Sequence, residues 1–155
     1  MDIPINWDLI DSSVKQFGFD GEVKIAKVVS VYDGDTIKVV FPFLRKLYKF
    51  NCRIIGVDTP EIRTRDKKEK EYGFKVRDEL RKKILNKVVK LKCGEFDKYG
   101  RLLIDIELSD EESIKNWLIN NNYGFAYDGG TKKKWKVYLN TIAATNELNK
   151  LINEN

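Results

Sequence analysis

Histidine is absent from the 155 residues of this chain. Without it there is no Ser-His or Cys-His nucleophile pair, no HExxH zinc site and no imidazole general base. The two cysteines, Cys52 and Cys93, lie 41 residues apart and match no zinc-ligand spacing. Each sits in an apolar, strand-like pattern and reads as a buried free thiol, with a disulfide left open. No apolar run reaches the length of a membrane span, so no membrane partner is expected. The opening Met1-Asp2-Ile3-Pro4, followed by Asp8 and Asp11, has neither the basic nor the apolar region of a signal peptide. With cysteines that read as unpaired, this leans towards an intracellular protein, the compartment itself being left unassigned. What remains for chemistry is carboxylates, Arg, Lys, Tyr and a hard metal ion.

At 42% hydrophobic and 12% aromatic, the sequence has enough apolar content for a core, and its length suits one domain. The net charge of +5 is unevenly placed. Residues 1–20 carry one Lys against four Asp, whereas residues 61–101 carry 15 Lys and Arg against 8 Asp and Glu. The basic excess is therefore local, as for a polyanionic partner, although a solvated Lys-rich surface would look the same.

Residues 1–20 read as an N-terminal extension and 21–155 as the folded domain. Val23, Ile25, Val29 and Val31 share one alternating face. Asp33-Gly34 reads as a two-residue hairpin turn, and Ile37, Val39 and Phe41 resume the alternation. After a turn near 42–46, a third strand is expected over 47–57. Residues 61–71 are polar and read as an exposed loop. The i+4 spacing of Tyr72, Val76, Leu80 and Ile84 predicts a helix over 72–86. Strands follow over 88–93 and 102–108. Ser109-Asp110-Glu111-Glu112 has the form of a capping box opening a helix with Ile114, Trp117 and Leu118 inward. A last helix over 132–152 carries Trp135, Tyr138, Leu139, Ile142 and Ala143. This order predicts an α+β fold, a five-stranded Greek-key OB-type β-barrel with three α-helices.

Four clusters carry chemistry: Asp33-Gly34-Asp35-Thr36, the strand residue Arg53, Val57-Asp58-Thr59-Pro60-Glu61, and Asp97-Lys98-Tyr99-Gly100-Arg101. Each alone reads equally well as a turn, a helix cap or a hairpin loop. An EF-hand starting at Asp33 is excluded because Leu44 stands where the bidentate acid is required. Taken together, Asp35, Asp58 and Glu61 fall at or just past strand ends. Carboxylates that converge there repel unless a cation compensates, and a hard divalent ion with oxygen ligands does so. Arg53 and Arg101 add permanently charged, bidentate phosphate binders. A surface Arg–Asp network is the competing explanation.

In that order the motifs resemble the staphylococcal nuclease family from about residue 23 to about 150. The resemblance implies that Asp35 and Asp58 ligate Ca²⁺, with the Thr59 carbonyl as a third ligand and Asp33 in support through water. It implies that Glu61 positions or deprotonates the attacking water. Arg53 and Arg101 would stabilise the phosphate from its two sides, Lys98 and Tyr99 would contact a terminal phosphate or sugar, and Tyr127 would pack on the base. The implied activity is Ca²⁺-dependent hydrolysis of DNA and RNA with little sequence preference. Such cleavage leaves 3′-phosphate ends, favours single strands or frayed duplex, and would be carried out by a monomer. The alternative is a catalytically silent OB-fold module that binds nucleic acid or protein. Nothing in the resemblance transfers to Arg63 or Arg65. The run Lys132–Lys134 reads as a solvated helix start or a contact to the nucleic-acid backbone.

Overall fold

A computed structural model describes residues 2–109, 111–130 and 135–154. Five strands, β1 (Val23–Val31), β2 (Thr36–Phe43), β3 (Lys46–Ile54), β5 (Val88–Phe96) and β6 (Leu102–Glu107), close a barrel in the order β1-β2-β3-β6-β5. All neighbours are antiparallel except β3 and β6, which run parallel. A two-residue strand β4 (Val57–Asp58) pairs with β7 (Phe125–Ala126) beside the barrel. The helices are α1 (Lys67–Ile84), α2 (Ile114–Asn120) and α3 (Trp135–Glu154). The α+β barrel with three helices expected from the sequence is the fold observed.

The inward face of β2 is Ile37, Val39 and Phe41, as alternation predicts, and Cys52, Ile54, Leu91, Leu102, Ile104 and Ile106 meet it in the core. β1 departs from expectation. Val23 and Ile25 are more than half exposed, and the inward residues are Ala26, Val28 and Val31. A register shift between Val28 and Ser30 changes the parity midway, which a single alternating face cannot express.

Other boundaries also moved. The expected third strand breaks after Ile54 at a turn where Gly56 takes φ +78, so β4 is a separate element. Helix α1 begins five residues early. Asp66 Oδ1 accepts from the amides of Lys68 and Glu69 at 3.0 and 3.2 Å, and this cap draws the polar residues 67–71 into the helix. The helix α2 does not start from Ser109. Its cap is Ser113, whose Oγ accepts from the Asn116 amide at 3.1 Å. Asp110 of the expected capping box lies outside the described residues, as does the Lys132–Lys134 run at the expected start of the last helix. Ala143, expected on the core stripe of α3, is exposed. Both cysteines are free and buried.

Residues 32–35 connect β1 to β2 in place of a two-residue turn, and the Tyr32 amide, donating to the Thr36 carbonyl at 2.9 Å, closes the 33–35 loop at its base. The tight two-residue turn is at the other end of β2. There Leu44 (φ 51) and Arg45 (φ 64) take left-handed conformations without a glycine. Phe41, Phe43, Phe50 and Phe96 gather at that end around Phe19, which is 1% exposed. One barrel end is thus plugged by aromatic rings. The 33–35 loop lies at the opposite end of β2, roughly 20 Å away at ~3.3 Å per residue.

Candidate active site

At the open end, the register pairs Thr36 with Arg53, and the Ile54 amide donates to the Asp35 carbonyl at 2.8 Å. This brings Arg53 Nη2 to 3.4 Å from Asp35 Oδ2. Asp33 Oδ1 accepts from the Asp35 amide at 3.1 Å, and Thr36 Oγ1 donates to Asp35 Oδ1 at 3.1 Å. Burial, followed by the neighbouring Asp33 carboxylate, pushes the Asp35 carboxyl up to about 7, against the opposing pull of Arg53 and Thr36. Two anionic groups and one cation leave this corner short of positive charge.

The second carboxylate segment is pressed against the first. Gly34 has an ordinary backbone conformation, and its importance is steric. A Cβ there would lie 2.7 Å from Thr59 Cβ and 2.8 Å from Val76 Cγ1. Gly124 plays the same part on the far side, where a Cβ would meet Val57 Cγ2 at 2.5 Å and the Asp58 carbonyl at 2.9 Å. Held between them, Asp58 and Thr59 are almost completely buried, as are Asp33 and Asp35. The buried carboxylates of Asp33, Asp35 and Asp58 and the Thr59 backbone carbonyl are oxygen donors, the kind that a hard divalent cation takes. Among the described residues no three His, Cys, Asp or Glu side chains are grouped as a metal cage.

Glu61 is exposed just past this segment, and its amide donates to Glu69 Oε2 at 2.8 Å. The 33–35 loop is anchored from outside by Arg81, which donates to the Val31 carbonyl at 3.0 and 3.2 Å, and by Arg63 lying 5.7 Å from the Tyr32 ring. Neither these anchors nor Glu69 and the contact glycines are predicted from the sequence. Only the folded register shows what they touch.

Arg101 precedes β6, whose Leu103 pairs with Arg53, so it falls two residues from Arg53's partner on the same outer barrel face. Its Nε donates to Asp97 Oδ2 at 2.8 Å. Asp97 also accepts from the amides of Tyr99 and Arg101 at 2.9 Å, which makes it the organiser of residues 97–101. Burial raises the Asp97 carboxyl, but these hydrogen bonds outweigh it and hold the group below the usual carboxylate range. Lys98 and Arg101 both lie over the exposed Tyr99 ring. Tyr127 is half-buried beside the Gly56 turn, where its amide donates to the Gly56 carbonyl at 3.0 Å. A groove of about 580 Å³ lies elsewhere, between the end of α1, β5 and the approach to α2, and its lining includes none of these residues. Among the described residues no helix is long and apolar enough to cross a membrane.

A family model described as staphylococcal nuclease homologue matches residues 51–149. The chain is similar to an uncharacterized protein of Methanocaldococcus jannaschii, 35% identical over 65% of this chain. It is also similar to an uncharacterized endonuclease of Escherichia coli, 28% identical over 66%, and to a thermonuclease of Staphylococcus hyicus, 37% identical over 55%. It spans 58%, 60% and 49% of those relatives' own lengths.

Proposed function

Because the chain belongs to the staphylococcal nuclease homologue family, we propose that it is a Ca²⁺-dependent phosphodiesterase acting on DNA and RNA. The observation that carries this reading is the Arg53–Asp35 ion pair, set against the buried Asp58–Thr59 segment at the open barrel end. A guanidinium beside a raised carboxyl suits a site that awaits both a cation and a phosphate.

In this reading Asp35, Asp58 and the Thr59 carbonyl hold the Ca²⁺, with Asp33 supporting them through water. When bound, the ion neutralises the phosphate and orients the attacking water. Glu61, exposed beside the segment, takes the proton from that water as its oxygen bonds to phosphorus. The bond from phosphorus to the 5′ oxygen breaks, that oxygen takes a proton from solvent, and a 3′-phosphate end remains. Arg53 offers two N–H groups to the equatorial oxygens as their charge grows. Arg101, pre-oriented by Asp97, does so from the leaving-group side. Lys98 and Tyr99 touch a terminal phosphate or sugar, and Tyr127 packs on a base. A site that reads one phosphate and one stacked base tolerates any sequence and favours unpaired strands. The protein acts as a monomer.

The test is incubation with denatured DNA and with RNA in Ca²⁺, Mg²⁺ or chelator, alongside Glu61→Ser and Arg53→Gly. The expected result is Ca²⁺-dependent cleavage that falls by about 10²–10³ in each variant. Folded protein that binds DNA and cuts nothing under any metal would overturn this reading in favour of a silent nucleic-acid-binding module.

A further inference from the structure

Helix α1 packs on the barrel through Gly73, Val76, Leu80 and Ile84, all buried. One turn before Gly73, on the same stripe, stands Glu69, a carboxylate where the pattern calls for an apolar residue. Its Oε2 accepts the Glu61 amide at 2.8 Å across eight residues of chain. Glu69 is itself held, since its own amide donates to the capping Asp66 at 3.2 Å. Four residues on, Gly73 touches the other side of the same peptide. A Cβ at Gly73 would lie 3.1 Å from the Glu61 carbonyl, 3.1 Å from the Pro60 carbonyl and 2.9 Å from Ile62 Cγ2.

We propose that Glu69 is a positioning residue for this site, which with Gly73 clamps the Glu61 backbone and so sets where the Glu61 carboxylate stands against the attacking water. The inference rests on the nuclease reading. Glu61 is exposed and follows a buried segment, so its reach depends on how its peptide is held. The acceptor on the amide restrains that peptide, and the bare backbone of Gly73 lets the Pro60 and Glu61 carbonyls lie close against α1. Glu69 contacts no substrate in this arrangement and acts only through Glu61. A misplacement of about 1 Å in a reacting group lowers turnover by as much as about 100-fold. Removing the acceptor should therefore lower kcat and leave KM near its starting value.

The variants are Glu69→Ala, which removes the acceptor, and Glu69→Gln, which keeps an oxygen at the same reach. Cleavage of denatured DNA in Ca²⁺ gives kcat and KM. Hydrogen exchange of the Glu61 amide, followed by NMR, reads the clamp without any turnover. Expected are a kcat about 10- to 100-fold lower in Glu69→Ala, faster exchange of the Glu61 amide, and recovery of both in Glu69→Gln. In a Glu61→Ser background, Glu69→Ala should cost nothing further, because the two residues act as one unit. An equal loss in both backgrounds, unchanged kcat or an equally protected amide would overturn the clamp alone. A wild-type protein that cuts nothing, with a Glu61 amide still exchanging faster in Glu69→Ala, would overturn the nuclease reading and leave the clamp as structure. Should Glu69→Ala melt early, Glu69→Gln and the exchange measurement decide the matter.

Discussion

Arg53 Nη2 stands 3.4 Å from Asp35 Oδ2, and both side chains are largely buried. The pair joins a proposed phosphate binder to a proposed metal ligand, so removing the guanidinium acts on both. Arg53→Gln should abolish most cleavage, by about 10²–10³. It should also drive the Asp35 carboxyl further up, since Arg53 is one of the two groups holding it down. Titration of the Asp35 carboxyl by NMR in metal-free protein checks the second effect, and an unmoved titration would contradict the pairing.

The raised Asp35 carboxyl gives metal-free protein a definite pH dependence. Burial and Asp33 favour the protonated form in the folded state, with a value of about 7 against an ordinary 3.8. Its contribution is therefore fully present below about 4 and is lost as pH rises through about 7. In chelator, wild-type protein should lose stability relative to Asp35→Asn between those limits, and Ca²⁺ should restore it. Thermal melts of both proteins at several pH values provide the measurement.

Asp97 behaves in the opposite sense. Its carboxyl is lowered by the hydrogen bonds it accepts, so its contribution is present at neutral pH and is lost on acidification below the usual carboxylate range. Asp97→Ala removes the acceptor for two amides and the Arg101 guanidinium. It should cost about 1–3 kcal/mol and lower cleavage through a misplaced Arg101. Urea unfolding together with the DNA assay tests both.

Gly34→Ala should weaken Ca²⁺ binding, because its Cβ would push the 33–35 loop from Thr59 at 2.7 Å. Gly18 has nothing within 4 Å, so Gly18→Ala is the control. Calorimetric Ca²⁺ titration of the two proteins should separate them by tenfold or more in affinity, about 1.4 kcal/mol.

Burial pushes the Cys52 thiol up to about 12, and Cys93 is raised as well. Neither forms the thiolate that reacts with disulfide reagents. The native protein should resist labelling with Ellman's reagent, and both thiols should titrate after denaturation.

These particulars show which parts of the molecule are legible from residues alone. Alternation reveals Ile37, Val39 and Phe41, because β2 runs without interruption. It fails on β1, where the irregularity between Val28 and Ser30 turns the outward face inward. The start of α1 is missed because residues 67–71 are all charged, and only Asp66 as a cap explains them. Asp33-Gly34 invites a tight-turn reading, yet the glycine answers to Thr59, distant in sequence, while the true tight turn uses Leu44 and Arg45. The site's acids and arginines are readable as ordered motifs. Glu69, Arg81 and Gly124, which hold those motifs in place, are not, since their partners are chosen by tertiary register.

The ring of strands has a consequence for how the protein behaves in a crowded solution. A strand that is paired on both sides offers no ladder for a neighbouring molecule to extend, and β1–β5 pairing closes the circuit. Val23, Ile25 and Val88 stand exposed near the ends of β1 and β5, where only the β1–β5 side is paired. The β4–β7 pair outside the ring, at two residues a strand, is too short to template a fibril. The segment that carries Asp58 thus stays outside the closed ring at little risk of aggregation.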